Sequence, residues 1–228
     1  MTSAGVFRTG VQYEHRWRGV ARLAGVGAVA ALAVVISLAN RAPEHGAVHF
    51  CCGYTPARLA AGAWWTVPGS ALLVPHLNLL GANTAVLVGV MVPYGLRAGS
   101  RRTLAAFFGG HILATLAVAA VVLPLAAWGW HPAEALRVRA DVGASAGVAA
   151  VAGALAVSMR RRRWGIALLS AFGAFFGVSL LLFHSLADVE HLIALATGAL
   201  LGQRWRTGGA SRFIAGSWRH RQSGRGYQ

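Results

Sequence analysis

Six apolar runs follow one another along this chain, at residues 22–39, 77–96, 103–127, 142–159, 164–183 and 187–203. A helix needs about twenty apolar residues to cross the hydrocarbon of a bilayer. A segment in lipid must also pair its own backbone polar groups. These two requirements leave one class: an all-α membrane protein with six transmembrane helices. Composition agrees, because 12% of the 228 residues are charged and 56% are hydrophobic, whereas about a quarter of a soluble domain is charged. No internal repeat or second domain is visible. The expected organisation is a basic N-terminal tail (1–21), a six-helix membrane domain (22–203) and a basic, disordered tail (204–228). "SLANRA" after the first run offers small residues such as a signal peptidase uses, but the long leader and long apolar stretch favour a retained helix.

The net charge of +15 comes from 21 basic residues, all of them arginine. Their placement speaks of topology. Seventeen fall in the N-terminal tail, at 97–102, at 160–163 and in the C-terminal tail; four (Arg41, Arg58, Arg137, Arg139) fall in the other connections. Five of the six acids, Glu44, Glu134, Asp141, Asp188 and Glu190, lie on the arginine-poor side. Both termini are therefore expected in the cytoplasm of a multi-pass plasma-membrane protein of bacterial type. The basic tail suits anionic lipid headgroups rather than nucleic acid.

The longest connection, 40–76, contains "GAWWTVPGSALL", where Trp64 and Trp65 suit the membrane interface. The adjacent Cys51 and Cys52 specify no disulfide framework, since a bridge between neighbours is strained. They read as small outward-facing loop residues, with an intermolecular bridge as the alternative.

Polar side chains inside apolar runs are costly and so become functional candidates. Ser145 lies about one turn beyond Asp141 at the start of the fourth run, and His191 about one turn beyond Asp188 in the sixth. Both runs start on the outer side, so the two residues are expected at matched depth, as a nucleophile and its general base would be. Gly143 and Gly147, with Ala150 or Ala154, form a small-residue stripe, and Gly198 follows His191 by seven residues on the same face. Such stripes let helices approach closely. The plainer alternative is a serine bonded to its own helix backbone beside an ordinary packing stripe. His111, in the middle of the third run, is expected as a buried neutral histidine bonded to a neighbouring helix. His49, His131 and His184 are outer loop residues too scattered for a zinc site. No metal or other cofactor is expected.

"GASAGVAAVAGA" resembles the serine motif of the rhomboid intramembrane serine protease superfamily, with Gly143, Ser145 and Gly153 at the matching positions. "EHLIALATGALLG" is similar to the family's last-helix motif through His191 and Gly198, and "WWTVPGSALLVPH" resembles the segment leading into the second helix. "RRTLAAFFGGHILATL" with "DVGASAG" looks closest to an actinobacterial rhomboid-like branch. The resemblance covers roughly residues 20–203. It implies a serine endopeptidase that cleaves transmembrane protein substrates near the outer leaflet, with Ser145 and His191 as its dyad. Oxyanion donors are implied among the Ser145 amide, Asn83 and His76. Asn83 as a plain interhelical hydrogen bond is the alternative. For Asp141 two roles are open, facing Ser145 or capping its helix.

The chain departs from the pattern in places. Ala146 replaces a glycine, Thr66 follows Trp65 where the family has arginine, Leu79 precedes Asn83 by four residues where a histidine is usual, and a glutamate is missing near Pro93 and Tyr94. These departures keep open a second class, a catalytically inactive rhomboid-like protein that binds other transmembrane helices.

Overall fold

The computed structural model describes residues 4–39, 52–73 and 80–223. Among the described residues there is no strand, only one isolated bridge between Tyr54 and Asp141. The helices are α1 (Ala4–Ala39), α2 (Pro56–Ala60), α3 (Thr66–Ser70), α4 (Leu80–Ala98), α5 (Ser100–Ala127), α6 (His131–Val138), α7 (Ser145–Ser158), α8 (Arg162–Phe183) and α9 (Leu186–Ser223).

Two of them, α5 and α8, are long and apolar enough to cross a membrane; the stretch Val20–Ile36 within α1 and the whole of α7 are shorter apolar helices. They differ in what surrounds them. Half of the most apolar window of α5 is buried, against 6% of that of α8. Ile166, Phe175, Val178, Leu181, Leu182 and Phe183 all stand exposed along α8. In water such a surface would be unfavourable by about 25 cal/mol per Å².

The shortest of the long helices lies at the centre. α7 has 14 residues, a rise of about 21 Å, less than the roughly 30 Å of a bilayer's hydrocarbon. It does not face outward: every residue from Ala146 to Ala156 is buried. α4, α5, α8 and α9 all pack on it, with the α9 contact the most extensive, and α1 lies outside against α4 and α5. Small residues make this possible. A Cβ on Gly198 of α9 would run into the Ala150 carbonyl oxygen, and one on Gly153 of α7 would run into the Leu195 carbonyl oxygen. The two backbones touch there with nothing between them.

The ends of the bundle differ in charge. Arg22 donates to the Leu96 carbonyl at 3.0 Å in the last turn of α4, and Arg206 to the Val157 carbonyl at 2.9 Å in the last turn of α7. Each cation sits where a helix ends with free carbonyls and negative dipole. At the other end, the first connection folds over the bundle: α2 and α3 pack on α5, and α2 also meets α6. Trp64 and Trp65 are exposed there, edge to face at 6.4 Å.

Several boundaries differ from the sequence expectation. α9 continues through 204–223, where a disordered tail was expected, and α1 begins at Ala4, within the expected basic N-terminal tail. Once a packed segment has nucleated a helix, each further residue adds a hydrogen bond at little extra cost. α6 was not expected. Its signals are Pro132 in the first turn, with Glu134 there and Arg137 in the last, matching the helix dipole at both ends. Residues 142–144 precede α7 rather than opening it.

Candidate active site

Four residues before the start of α7 the chain is still extended: the Asp141 amide donates to the Tyr54 carbonyl at 2.9 Å. Gly143 then turns with φ of +145°, a backbone region that side chains rarely tolerate, and its amide donates to the Ser70 carbonyl at 2.9 Å. Ser145 is consequently the first residue of α7, not one turn inside it as the spacing from Asp141 suggested. The first bond of the helix runs from the Val148 amide to the Ala144 carbonyl. The amides of Ser145, Ala146 and Gly147 stand outside that ladder, at the positive end of the helix. No side chain caps them, so Asp141 is not a cap; it lines a small cavity together with Glu190.

His191, in the second turn of α9, brings Nε2 to 2.7 Å from Ser145 Oγ. Its ring stacks on Phe176 of α8, centroids 4.4 Å apart and planes at 23°. Among the described residues Nδ1 has no hydrogen-bond partner, and Asp188 Oδ1 lies 3.8 Å from it. Asp188 itself is 6% exposed and accepts a 2.9 Å hydrogen bond from Ser179 Oγ of α8.

The serine opens onto a cavity of about 570 Å³ between α4, α7 and α8. Asn83 and Val86 line one wall, Ser145 and Val148 the floor, and Phe172 and Phe176 the other wall. The lining is apolar but for Asn83 and the serine, which suits an apolar guest carrying one polar reacting group.

The small-residue stripe divides in two. Gly147 does not face α9: a Cβ there would lie 2.6 Å from the Phe107 ring of α5. Gly143 serves the turn described above. Only Gly198 of the three expected packing glycines sits at the α7–α9 contact, where it meets Ala150; Gly153, three residues further along α7, meets Leu195 and Ala199 of the same partner helix. Helix geometry explains the split, since residues 143 and 147 precede or open α7 and so face the first loop and α5.

The other candidates separate cleanly. Asn83 shares the cavity with Ser145. His76, His49 and Cys51 lie outside the described residues, and Cys52 is a free thiol. His111 is buried in α5, its Nε2 3.1 Å from Ser70 Oγ and 3.0 Å from the Val67 carbonyl; its partner is the first loop, through α3, rather than a neighbouring long helix. His131 opens α6, and His184 ends α8 with φ of 51°. Among the described residues no group of three or more metal-ligating side chains converges. A second, smaller cavity of about 130 Å³ is lined by Tyr54, Asp141 and Glu190. Burial, then the nearby Glu190 and Asp141, push the Tyr54 phenol above its ordinary range.

Sequence inspection missed Phe176 and the pairing of Asp188 with His191. The first had no signal, being one phenylalanine among many. The second did: positions 188 and 191 are three apart on one helix, hence neighbours on its face. Comparison with known proteins found no family model that matches the chain, and no curated protein or solved structure that matches it.

Proposed function

We propose that this chain is a rhomboid-like serine peptidase of a bacterial cell membrane, spanning it six times with both termini in the cytoplasm. In this reading it cleaves transmembrane helices near the outer leaflet. The observation that carries the reading is the 2.7 Å contact between Ser145 Oγ and His191 Nε2 at the floor of a cavity walled by α4 and α8. His191 takes the serine proton as Oγ attacks a peptide carbonyl, then returns it to the leaving amine. Water hydrolyses the resulting acyl-enzyme. The amides at the start of α7 are donors for the oxyanion, and Asn83, which lines the same cavity, is the side-chain donor.

The membrane part of the proposal draws on the apolar exposure of α8 and on the gathering of arginines at one end of the bundle. A buried, thin α7 serves the chemistry as well: it holds the serine below the outer surface while its neighbours meet the lipid. A substrate helix must lose its own hydrogen bonds before its carbonyl reaches Ser145, so glycine or proline near the cut lowers that cost. An inactive helix-binding protein would use the same cavity, but it has no need of an imidazole bonded to the hydroxyl. Purified protein treated with a serine-directed fluorophosphonate should label at Ser145, and Ser145→Ala should not. Equal labelling of the two proteins would sink the proposal.

A further inference from the structure

We infer that Asp188 is a positioning residue for His191, so that the site works as a Ser145–His191–Asp188 chain fastened at its far end by Ser179. The inference rests on the peptidase reading for its kinetic consequence, though not for the pairing itself.

Two unmet needs lie side by side. Among the described residues His191 Nδ1 is buried without a hydrogen-bond partner, and a buried ring nitrogen left unpaired is unfavourable. Asp188 is a carboxylate 6% exposed among apolar helices, and the one hydrogen bond it accepts from a side chain, from Ser179, engages Oδ2. Its other oxygen points to the Nδ1 side of His191 at 3.8 Å. That separation exceeds a hydrogen bond, but a modest turn about the aspartate side chain closes it. General acid–base pairs commonly tighten only when substrate is bound.

The consequences follow from the imidazole's two nitrogens. A carboxylate at Nδ1 keeps the proton on that atom, leaves Nε2 bare to accept from the serine, and stabilises the imidazolium formed during attack. Stacking on Phe176 fixes the ring plane but cannot select the tautomer, because a ring face offers no directional acceptor. Asp188 can. The plainer role for an acid in the first turn of α9 is to complement the helix dipole. That role needs neither burial nor a serine from another helix holding the carboxylate.

The test uses full-length protein in lipid nanodiscs with ¹⁵N-labelled histidine. A low-field proton signal of His191 Nδ1–H is expected in wild type and in the inert Ser145→Ala variant, and absent in His191→Ala. Asp188→Asn should move it upfield, and Ser179→Ala should move it part of the way. For cleavage of a model transmembrane substrate, Asp188→Asn should lower kcat by roughly 10²–10⁴-fold with KM nearly unchanged, as expected for a lost tautomer. A signal that stays in place in both variants overturns the pairing, as does wild-type kcat in Asp188→Asn. If Asp188→Asn does not fold, Ser179→Ala decides alone through the same signal. Wild type that fluorophosphonate cannot label would count against the peptidase reading while the resonance still decides the pairing.

Discussion

A serine 2.7 Å from an imidazole nitrogen is a hydrogen bond in any protein; its surroundings are what give it meaning here. Ser145 lines a cavity, begins a helix, and lies among the first amides of α7, which stand outside the helix ladder. Asn83 came from the family resemblance, whereas polar residues inside apolar runs stand out, which is why Ser145 and His191 could be found in the sequence. Phe176 could not, because an apolar run gives no sign of which aromatic meets the ring of His191. Ser145→Ala and His191→Ala should each abolish cleavage, and the double variant should be no worse, since a nucleophile and its base act as a unit. Additive losses, measured as kcat on a model substrate, would mean that the two residues do not share one step. Asn83 makes a second case. It lines the same cavity as Ser145, and loss of one oxyanion donor typically lowers turnover about 10²–10³-fold. Asn83→Ala should show that loss in kcat with little change in melting temperature. A variant that melts earlier but turns over normally would return Asn83 to a packing role.

Helices were readable where hydrophobicity alone decides, as in α5 and α8. They were misjudged where tertiary contacts decide. The start of α7 is set by the Gly143 turn and by its bond to Ser70, neither of which has a periodic signature. The small-residue stripe was legible as a stripe, but not which neighbour each member meets. Gly198 is the member for which the prediction is sharpest. Its missing Cβ would lie 2.7 Å from Ala150 Cα, and a helix backbone cannot yield as a flexible side chain can. Gly198→Ala should therefore destabilise the protein by about 1–3 kcal/mol, as overpacking does. It should also lower kcat, because parting α7 from α9 lengthens the Ser145–His191 contact. Gly173 on α8, where a Cβ would meet nothing, supplies the control: Gly173→Ala should leave both melting temperature and kcat near wild type. Equal behaviour of the two variants would show that the α7–α9 contact is looser than the backbone distances require.

At the scale of the whole molecule, most of the arginines and the Ser145–His191 pair occupy opposite ends. Arg22, Arg97, Arg101, Arg102, the cluster 160–163 and Arg206 belong to one end, while Ser145, Asp188 and Glu190 belong to the other. The polarity was visible in the sequence because it depends only on order along the chain. Arginine-rich connections stay in the cytoplasm, so the reactive end should face outward, where water can reach an acyl-enzyme without crossing the bilayer. Single cysteines placed at 97–102 and at 160–163 should resist an impermeant thiol reagent in intact cells and react after permeabilisation. A cysteine in place of Glu134, on the exposed side of α6, should react at once. The reference protein needs Cys51 and Cys52 replaced, since both belong to the connection expected outside. The α8–α9 turn provides an independent check: a cysteine at His184, exposed at the end of α8, should label from outside like position 134. Labelling of 160–163 from outside with protection at 134 and 184 would invert the molecule. Ser145 would then face the cytoplasm, and substrates would have to present their weakened turn at the inner leaflet instead.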